Sequence, residues 1–197
     1  MPNVILENVS VKYKLRRKRY ISATEDVSFT FPSDQITCII GDSGCGKTSI
    51  LRAIIGLVDF TGDVLYEDVS IKKFDARDRH ISYVSQSIGL YPHMSIYNNI
   101  AFPLKVTGCQ ENEIRDRVGE VADLLHIRSI LGRKPREISL GQAQRVAIAR
   151  ALVKKSMVYL FDEPFSSQDE EHKNQILKKM IQNIVISIKT FQNISVT

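Results

Sequence analysis

The sequence contains no tryptophan, and only three cysteines and six prolines among its 197 residues. The cysteines are odd in number and show no paired spacing, so the sequence supports neither a disulfide framework nor a zinc site. The longest apolar runs, such as Ile36–Ile40 and Met157–Phe161, fall far short of the roughly 20 residues of a membrane-spanning helix. The first residues lack the basic-then-apolar layout of a signal peptide, so we expect a protein that stays inside the cell.

Charge of either sign is not in large excess, since 27 Lys and Arg face 22 Asp and Glu, a formal net charge of +5. Much of the positive excess lies between Lys12 and Arg19. A solvated loop between two strands is the first interpretation of this cluster, and a surface for anionic headgroups or polyphosphate is the second. Basic and aromatic residues are not interleaved as in nucleic-acid binders, so no nucleic acid is expected as a partner.

The hydrophobic pattern predicts an α/β protein with a helical insertion between two nucleotide-type halves. The region from Met94 to Ile127 looks helical, with breaks expected at Pro103 and Gly108. Further helices are expected at Gly46–Ile55, at Ser139–Val153 and over the spaced apolar residues Ile176–Ile188. Strands are expected at Asn3–Tyr13, Glu25–Phe31, Ile36–Ile40, Asp63–Glu67, Ile81–Ser85, Met157–Phe161 and Asn193–Thr197.

A phosphate-binding pattern, G-x-x-x-x-G-K-[ST], follows the apolar run at Ile36–Ile40 and precedes the first predicted helix. Its glycines let successive backbone amides face inward as an anion-binding nest, and the helix dipole adds positive potential. Lys47 would reach the β- and γ-phosphates, and the Thr48 hydroxyl would bind Mg²⁺. A mere connecting turn would not need Lys-Thr at this position. The predicted phosphate-binding residues are Gly41, Ser43, Gly44, Cys45, Gly46, Lys47, Thr48 and Ser49.

Two adjacent carboxylates, Asp162 and Glu163, follow the buried strand that is predicted to end at Phe161. Ligands of open α/β sheets lie at such carboxyl ends. Asp162 would hold Mg²⁺ through water, and Glu163 would orient or deprotonate an attacking water molecule. An acidic strand end before the turn at Pro164 is the structural alternative. The pairing with a phosphate loop favours the catalytic interpretation.

A third element, Ile138-Ser139-Leu140-Gly141-Gln142, opens the helix predicted at Ser139–Val153. Ser-x-x-Gln is a capping box, which satisfies the unpaired amides at a helix start. Capping alone does not explain why a glycine and small polar groups crowd this terminus, where the helix dipole favours a phosphate.

These motifs, in this order, resemble the ATP-binding cassette (ABC) ATPases over nearly the whole chain. The resemblance implies a P-loop NTPase cassette with a mostly parallel core sheet and an N-terminal antiparallel β subdomain. It also implies a helical subdomain over approximately residues 88–155, inserted before the signature motif, within a single domain covering residues 1–197. ATP and Mg²⁺ are the implied cofactors, and ATP hydrolysis coupled to transport is the implied activity.

The resemblance assigns further roles. Tyr13 would stack on adenine, although strand packing is an alternative and Tyr20 is a rival for the stacking role. Gln86 would touch Mg²⁺ and the γ-phosphate, unless it is a loop residue that bonds to backbone. Residues 166–169 match the loop after the second carboxylate motif. In the family two cassettes sandwich two ATP molecules, which places Ser139, Gly141 and Gln142 across a dimer interface.

Within the family, Gly89–Leu104 and Gly132–Arg136 look most like the ATPases of bacterial sugar importers. Family members dock integral membrane permease subunits on this stretch, so the resemblance implies a position on the cytoplasmic face of the cell membrane. A buried core of the helical subdomain could account for about half of these residues. The implied function is an importer motor subunit, with a lean toward carbohydrate, paired with a second cassette subunit of the same or another kind.

The chain also departs from the family pattern. Leu140 replaces the first signature glycine, and Gln168 replaces the usual leucine. The family's switch histidine should follow the strand predicted at Asn193–Thr197, where the chain stops, and the C-terminal regulatory domain of sugar-importer ATPases is missing too. We therefore expect a C-terminally incomplete cassette. The alternatives are a nucleotide-gated module that no longer hydrolyses ATP and a cassette protein that does not serve transport. No histidine takes the switch place among His80, His93, His126 and His172.

Overall fold

The computed structural model describes residues 2–15, 19–164 and 188–190. These residues fall into two compact units. The sheet unit contains residues up to 83, residues 157–162 and residues 188–190, whereas the helical unit contains residues 84–156 and continues from residue 163. Within the described part of the chain, no helix has both the length and the hydropathy needed to cross a bilayer.

An antiparallel sheet forms one layer of the sheet unit, in the strand order β2-β1-β4-β5. Strand β1 is central, pairs with both β2 and β4, and buries Val9 and Val11 completely. Ser10 between them is buried too, and its hydroxyl is satisfied by hydrogen bonds with Asp26 of β2. The strands are β1 (Val4–Lys14), β2 (Tyr20–Phe31), β4 (Phe60–Tyr66) and β5 (Val69–Ser70).

A second sheet has the order β3-β8-β7-β6. Strand β8 pairs in parallel with both β3 and β7, so the carboxyl ends of β3 and β7 meet at the same edge of the sheet. All four residues of β7 are buried, as expected for an apolar run covered on both faces. The strands are β3 (Cys38–Ile39), β6 (Ile81–Val84), β7 (Val158–Phe161) and β8 (Ile188–Thr190).

Helix α1 (Lys47–Ile55) supplies the apolar side chains that join the two sheets into one core. Leu51 and Ile54 are fully buried among residues of β1, β4 and β7. The helix ends at Gly56, whose left-handed conformation lets its amide bond back to the carbonyl of Ala53. The start and the end of α1 are therefore fixed by local sequence, and its position is fixed by burial of its apolar face.

The helical unit contains α2 (Ile96–Val106), α3 (Glu111–Leu124) and α4 (Leu140–Leu152). Helix α2 contacts both α3 and α4. The buried residues of α3 recur every four positions, which is the spacing of one helical face. They are Ile114, Val118 and Ala122.

Most predicted elements are confirmed, but four predictions need correction. The second strand begins at Tyr20 and not at Glu25. Pro103 does not break a helix, because α2 continues through it to Val106, whereas Gly108 does lie between α2 and α3. Burial of the α2 face offsets the roughly 3 kcal/mol cost of an internal proline. Strand β3 is shorter than Ile36–Ile40. Ile188 belongs to β8 and not to a helix, and the strand predicted at Asn193–Thr197 lies outside the described residues.

A buried arginine stabilises the sheet unit. Arg79 is only 4% exposed, and burial lowers its pKa from the ordinary value. Its guanidinium needs no carboxylate, because it donates to four backbone carbonyls, two of them in the last turn of α1. The accepting oxygens belong to Ala53 (3.0 Å), Ile54 (2.8 Å), Phe74 (3.0 Å) and Lys72 (3.2 Å).

Replacing this arginine should destabilise the fold strongly. Arg79→Met keeps the apolar stem but removes the guanidinium donor from the carbonyls of Ile54, Phe74 and Lys72, so the free energy of unfolding should fall by about 3 kcal/mol. Urea denaturation followed by circular dichroism measures the change. Arg77→Met is the matched control, because the Arg77 side chain is 81% exposed and pairs only with Asp75 at the surface. Equal denaturation midpoints for the two variants would contradict the assignment.

Candidate functional site

The phosphate-loop motif forms a tight turn between β3 and α1. Gly46 is the N-cap of α1 with a left-handed φ of 99°. A Cβ atom at Gly46 would lie 2.4 Å from the carbonyl oxygen of Ala23, so only glycine fits this position. Asp42, Ser43 and Gly44 are exposed, and their amides precede the positive end of the α1 dipole. The turn can therefore receive an anion from solvent.

The side chain of Lys47 folds back over this loop. Its Nζ atom donates to the carbonyl oxygens of Gly41 at 2.7 Å and Asp42 at 2.8 Å, and lies 3.8 Å from Sγ of Cys45. The ammonium group is thus held at the loop, where it can exchange a carbonyl partner for a phosphate oxygen. This position agrees with the role that the motif predicts for Lys47.

Asp162 lies directly after β7 and is 3% exposed. Oδ1 accepts a hydrogen bond from the Thr48 hydroxyl at 3.0 Å, and Oδ2 accepts one from the Tyr83 hydroxyl at 3.0 Å. The structure therefore brings together Thr48 and Asp162, two of the three residues predicted to contact a metal ion. A hydroxyl beside a carboxylate offers the hard oxygen donors that Mg²⁺ prefers.

Sequence reasoning missed Tyr83, which bonds to Asp162, and the neighbouring Arg52. Burial, together with the neighbouring Asp162 carboxylate, raises the pKa of Tyr83 to about 12, so its hydroxyl stays protonated and remains a donor. Hydrogen bonds to Tyr13 and to Tyr83 raise the pKa of Arg52, against the opposing effect of burial. The only sequence signal was a polar side chain at each position, a phenol in an apolar strand and a cation on the phosphate-loop helix.

The structure separates the two candidates for adenine stacking. Tyr13 is partly buried against the core, and its hydroxyl lies 3.2 Å from that of Ser49. Tyr20 is 62% exposed. Strand packing thus describes the position of Tyr13, while the more exposed ring is that of Tyr20. Adenine stacking by Tyr13 stays a prediction.

Gln86 and Glu163 meet within the helical unit. Nε2 of Gln86 donates to Oε2 of Glu163 at 3.0 Å. Glu163 has a left-handed φ of 49°, a conformation that non-glycine residues adopt at a cost. The alternative that Gln86 only bonds to backbone is not what the structure shows, because its amide contacts the predicted catalytic carboxylate.

The signature element caps α4. The amide of Gln142 donates to Oγ of Ser139 at 3.2 Å, and the amide of Ser139 donates to Oε1 of Gln142 at 3.0 Å. This reciprocal pair is the predicted capping box. Leu140 follows the cap and is 62% exposed, so the departure from glycine places an apolar side chain in solvent at this terminus. The role of Gly141 is untested, and residues 166–169 lie outside the described residues.

Two side chains of the helical unit, Asn99 and Arg150, bond to the backbone of the segment that follows Gln86. Asn99 is fully buried and bonds to the backbone of residues 91–95 through both of its side-chain polar atoms. Arg150 donates to the carbonyl oxygens of Gly89 at 2.9 Å and Ile88 at 3.3 Å, and its guanidinium lies over the ring of Tyr91 at 5.6 Å. The buried-core interpretation therefore describes much of α2, while Pro92 and His93 are exposed.

Comparison with known proteins identifies related sequences. Residues 24–166 match the family model described as "ABC transporter". The sn-glycerol-3-phosphate import ATP-binding protein UgpC of Jannaschia sp. (strain CCS1) is 41% identical over 155 residues, covering 78% of this chain and 44% of that protein. The trehalose/maltose import ATP-binding protein MalK of Thermococcus litoralis is 46% identical over 156 residues, covering 76% of this chain and 42% of that protein. The chain thus spans less than half the length of these relatives.

Solved structures agree with the sequence relatives. The dimeric structure of MJ0796, a bacterial ABC transporter cassette, superposes with a TM-score of 0.85 at 27% identity, covering 96% of this chain and 87% of that one. A post-hydrolysis state of the same cassette, bound to ADP and Pi, gives a TM-score of 0.85 at 28% identity with the same coverage.

The anchoring of residues 91–95 by Asn99 can be tested by mutation. Asn99→Ala leaves a cavity at a buried position and removes the side-chain partners of the Tyr91 amide and the Met94 carbonyl, so the free energy of unfolding should fall by about 3 kcal/mol. Asn98→Ala is the matched control, because Asn98 is exposed and its side chain accepts only from Lys105 among the hydrogen bonds seen here. Chemical denaturation of both variants decides the question, and an equal loss in the two would show that burial of Asn99 has no special effect.

Proposed function

Because the chain belongs to the ABC transporter family, we propose that it is an ATP-binding and ATP-hydrolysing motor subunit of an importer. The contact of Thr48 with the buried Asp162 at 3.0 Å, beside an open phosphate loop, is the observation that carries this proposal. The relatives named above import a glycerol phosphate and the sugars trehalose and maltose, which supports a carbohydrate or related polyol as the solute.

The triphosphate of ATP is the proposed ligand of the phosphate loop. Exposed amides of the turn and the α1 dipole favour an anion, and Lys47 adds a full positive charge. The binding set consists of Gly41, Ser43, Gly44, Cys45, Gly46, Lys47, Thr48 and Ser49, with adenine stacking by Tyr13 as a further proposal.

The residues present fit Mg²⁺. A hydroxyl oxygen and a buried carboxylate lie together at Thr48 and Asp162. No group of three or more His, Cys, Asp or Glu residues is found in the described ranges, and none is needed, because Mg²⁺ at phosphate sites takes one or two carboxylates, water and the phosphates themselves. When bound, Mg²⁺ would neutralise charge on the phosphate oxygens. Gln86 is kept as a proposed contact of the metal and the γ-phosphate.

Glu163 is the proposed base. Gln86 holds its carboxylate through a bond of 3.0 Å, which limits the orientations of the side chain. Glu163 would accept a proton from water as the water oxygen attacks the γ-phosphorus. The bond from the γ-phosphorus to the bridging oxygen then breaks, and ADP and phosphate leave. Lys47 would stabilise the charge that grows on the phosphate oxygens during this step.

A second cassette and membrane permeases are the proposed partners. The signature helix presents a capped N-terminus, and Ser139, Gly141 and Gln142 would meet the phosphates of a second subunit there. The dimeric state of MJ0796 supports this arrangement. The exposed residues Pro92 and His93 would contact permease subunits, and such contacts would hold the protein at the cytoplasmic face of the membrane.

Removing the base should separate binding from turnover. In the full chain, Glu163→Gln should keep MgATP affinity within about twofold by calorimetry, while phosphate release falls by roughly 100-fold or more. Glu120→Gln is the matched control, because it makes the same charge change on an exposed face of α3. Glu120→Gln should match the parent in both measurements.

The same two assays decide between the hypotheses. No heat on titration of MgATP into the folded parent would reject the whole proposal. Binding without phosphate release in the parent would reject hydrolysis and favour a nucleotide-gated module. Undiminished release by Glu163→Gln would remove Glu163 from its role.

A further inference from the structure

We propose that Tyr83 is a positioning residue of this site, which holds the Asp162 carboxylate in the orientation that metal binding requires. The inference rests on the proposed function, since the orientation of Asp162 matters only if Asp162 serves a metal ion and a nucleotide.

The two oxygens of Asp162 are restrained separately. Oδ1 faces the Thr48 hydroxyl and Oδ2 faces the Tyr83 hydroxyl, each at 3.0 Å. With a partner on one oxygen alone, the carboxylate could turn about its Cβ–Cγ bond, because that torsion is broad. Donors on both oxygens fix the plane of the group. The oxygen that faces Thr48 is therefore kept beside the other proposed metal ligand.

Donor chemistry sets the direction of this hydrogen bond. The Tyr83 hydroxyl donates its single proton to Oδ2 of Asp162, which can only accept it at that oxygen.

Tyr83 would thus orient a metal ligand, Asp162, without contacting the metal itself. Groups that orient metal ligands typically change metal affinity by 10- to 100-fold when they are mutated. A tyrosine that merely stabilises the fold would instead change stability and leave metal affinity unaltered. Metal affinity and stability must therefore be measured side by side.

The test compares two Tyr→Phe variants of the full chain. Tyr83→Phe removes only the hydroxyl that faces Asp162. Tyr66→Phe is the matched control, because the Tyr66 hydroxyl is also partly buried in the sheet unit and donates at 2.9 Å to the carbonyl oxygen of Arg79, away from the phosphate loop. Each variant loses one hydrogen bond, so both should show similar small shifts in the urea midpoint.

The affinity for Mn²⁺ should distinguish Tyr83→Phe from Tyr66→Phe. Mn²⁺ is titrated in the presence of saturating ADP and followed by electron paramagnetic resonance. Tyr83→Phe should weaken Mn²⁺ binding by roughly 10-fold or more, with ADP affinity in the absence of metal unchanged within twofold. Tyr66→Phe should match the parent in both. Mn²⁺ affinity within twofold of the parent in Tyr83→Phe, or an equal loss in Tyr66→Phe, would overturn the proposal.

The outcomes separate this inference from the proposed function. A parent chain that binds no ADP would defeat the proposed function, and the role of Tyr83 would fall with it. If the parent binds ADP and Mn²⁺ but Tyr83→Phe is unaltered, the positioning role alone is lost.

Discussion

The hydrogen bonds to the buried Asp162 carboxylate are the constraint on which the site depends. A carboxyl group that is 3% exposed is costly unless donors satisfy both of its oxygens. Thr48 at the start of α1 and Tyr83 in β6 provide them. Satisfying one side chain thereby fixes the end of β7 relative to the start of the phosphate-loop helix. The chemistry that binds a ligand and the packing that positions it rest on the same contacts.

The parallel sheet explains why these elements meet. Strand β8 pairs with both β3 and β7, so the two chain segments that follow β3 and β7 emerge at one edge. The phosphate loop follows β3 and Asp162 follows β7. Short, fully buried strands suffice here, because their function is to bring two loop ends together. The antiparallel sheet contributes Ala23, whose carbonyl oxygen requires glycine at the N-cap of α1.

Features that depend on local sequence could be predicted, and features that depend on tertiary contacts could not. The α/β fold class is confirmed by the cassette structures, because the phosphate loop, the strand before Asp162 and the capping box are local patterns. The helix break predicted at Pro103 was wrong, because burial of the α2 face outweighs the intrinsic cost of an internal proline. Tyr83 and Arg52 gave no readable signal, since a tyrosine in a strand and an arginine on a helix are ordinary residues until their partners are known.

Two hydrogen-bonded pairs of candidate site residues lie where the chain passes from one compact unit to the other, one pair in each unit. Tyr83 and Asp162 are the residues at which the chain leaves the sheet unit, and a hydrogen bond joins them. Gln86 and Glu163 lie just beyond those points, in the helical unit, and they too are hydrogen-bonded. Each unit therefore contributes one side-chain hydrogen bond between residues 83–86 and residues 162–163. The proposed metal contacts Thr48 and Asp162 are bonded to each other in the sheet unit, and the third proposed contact, Gln86, is bonded to the proposed base in the helical unit.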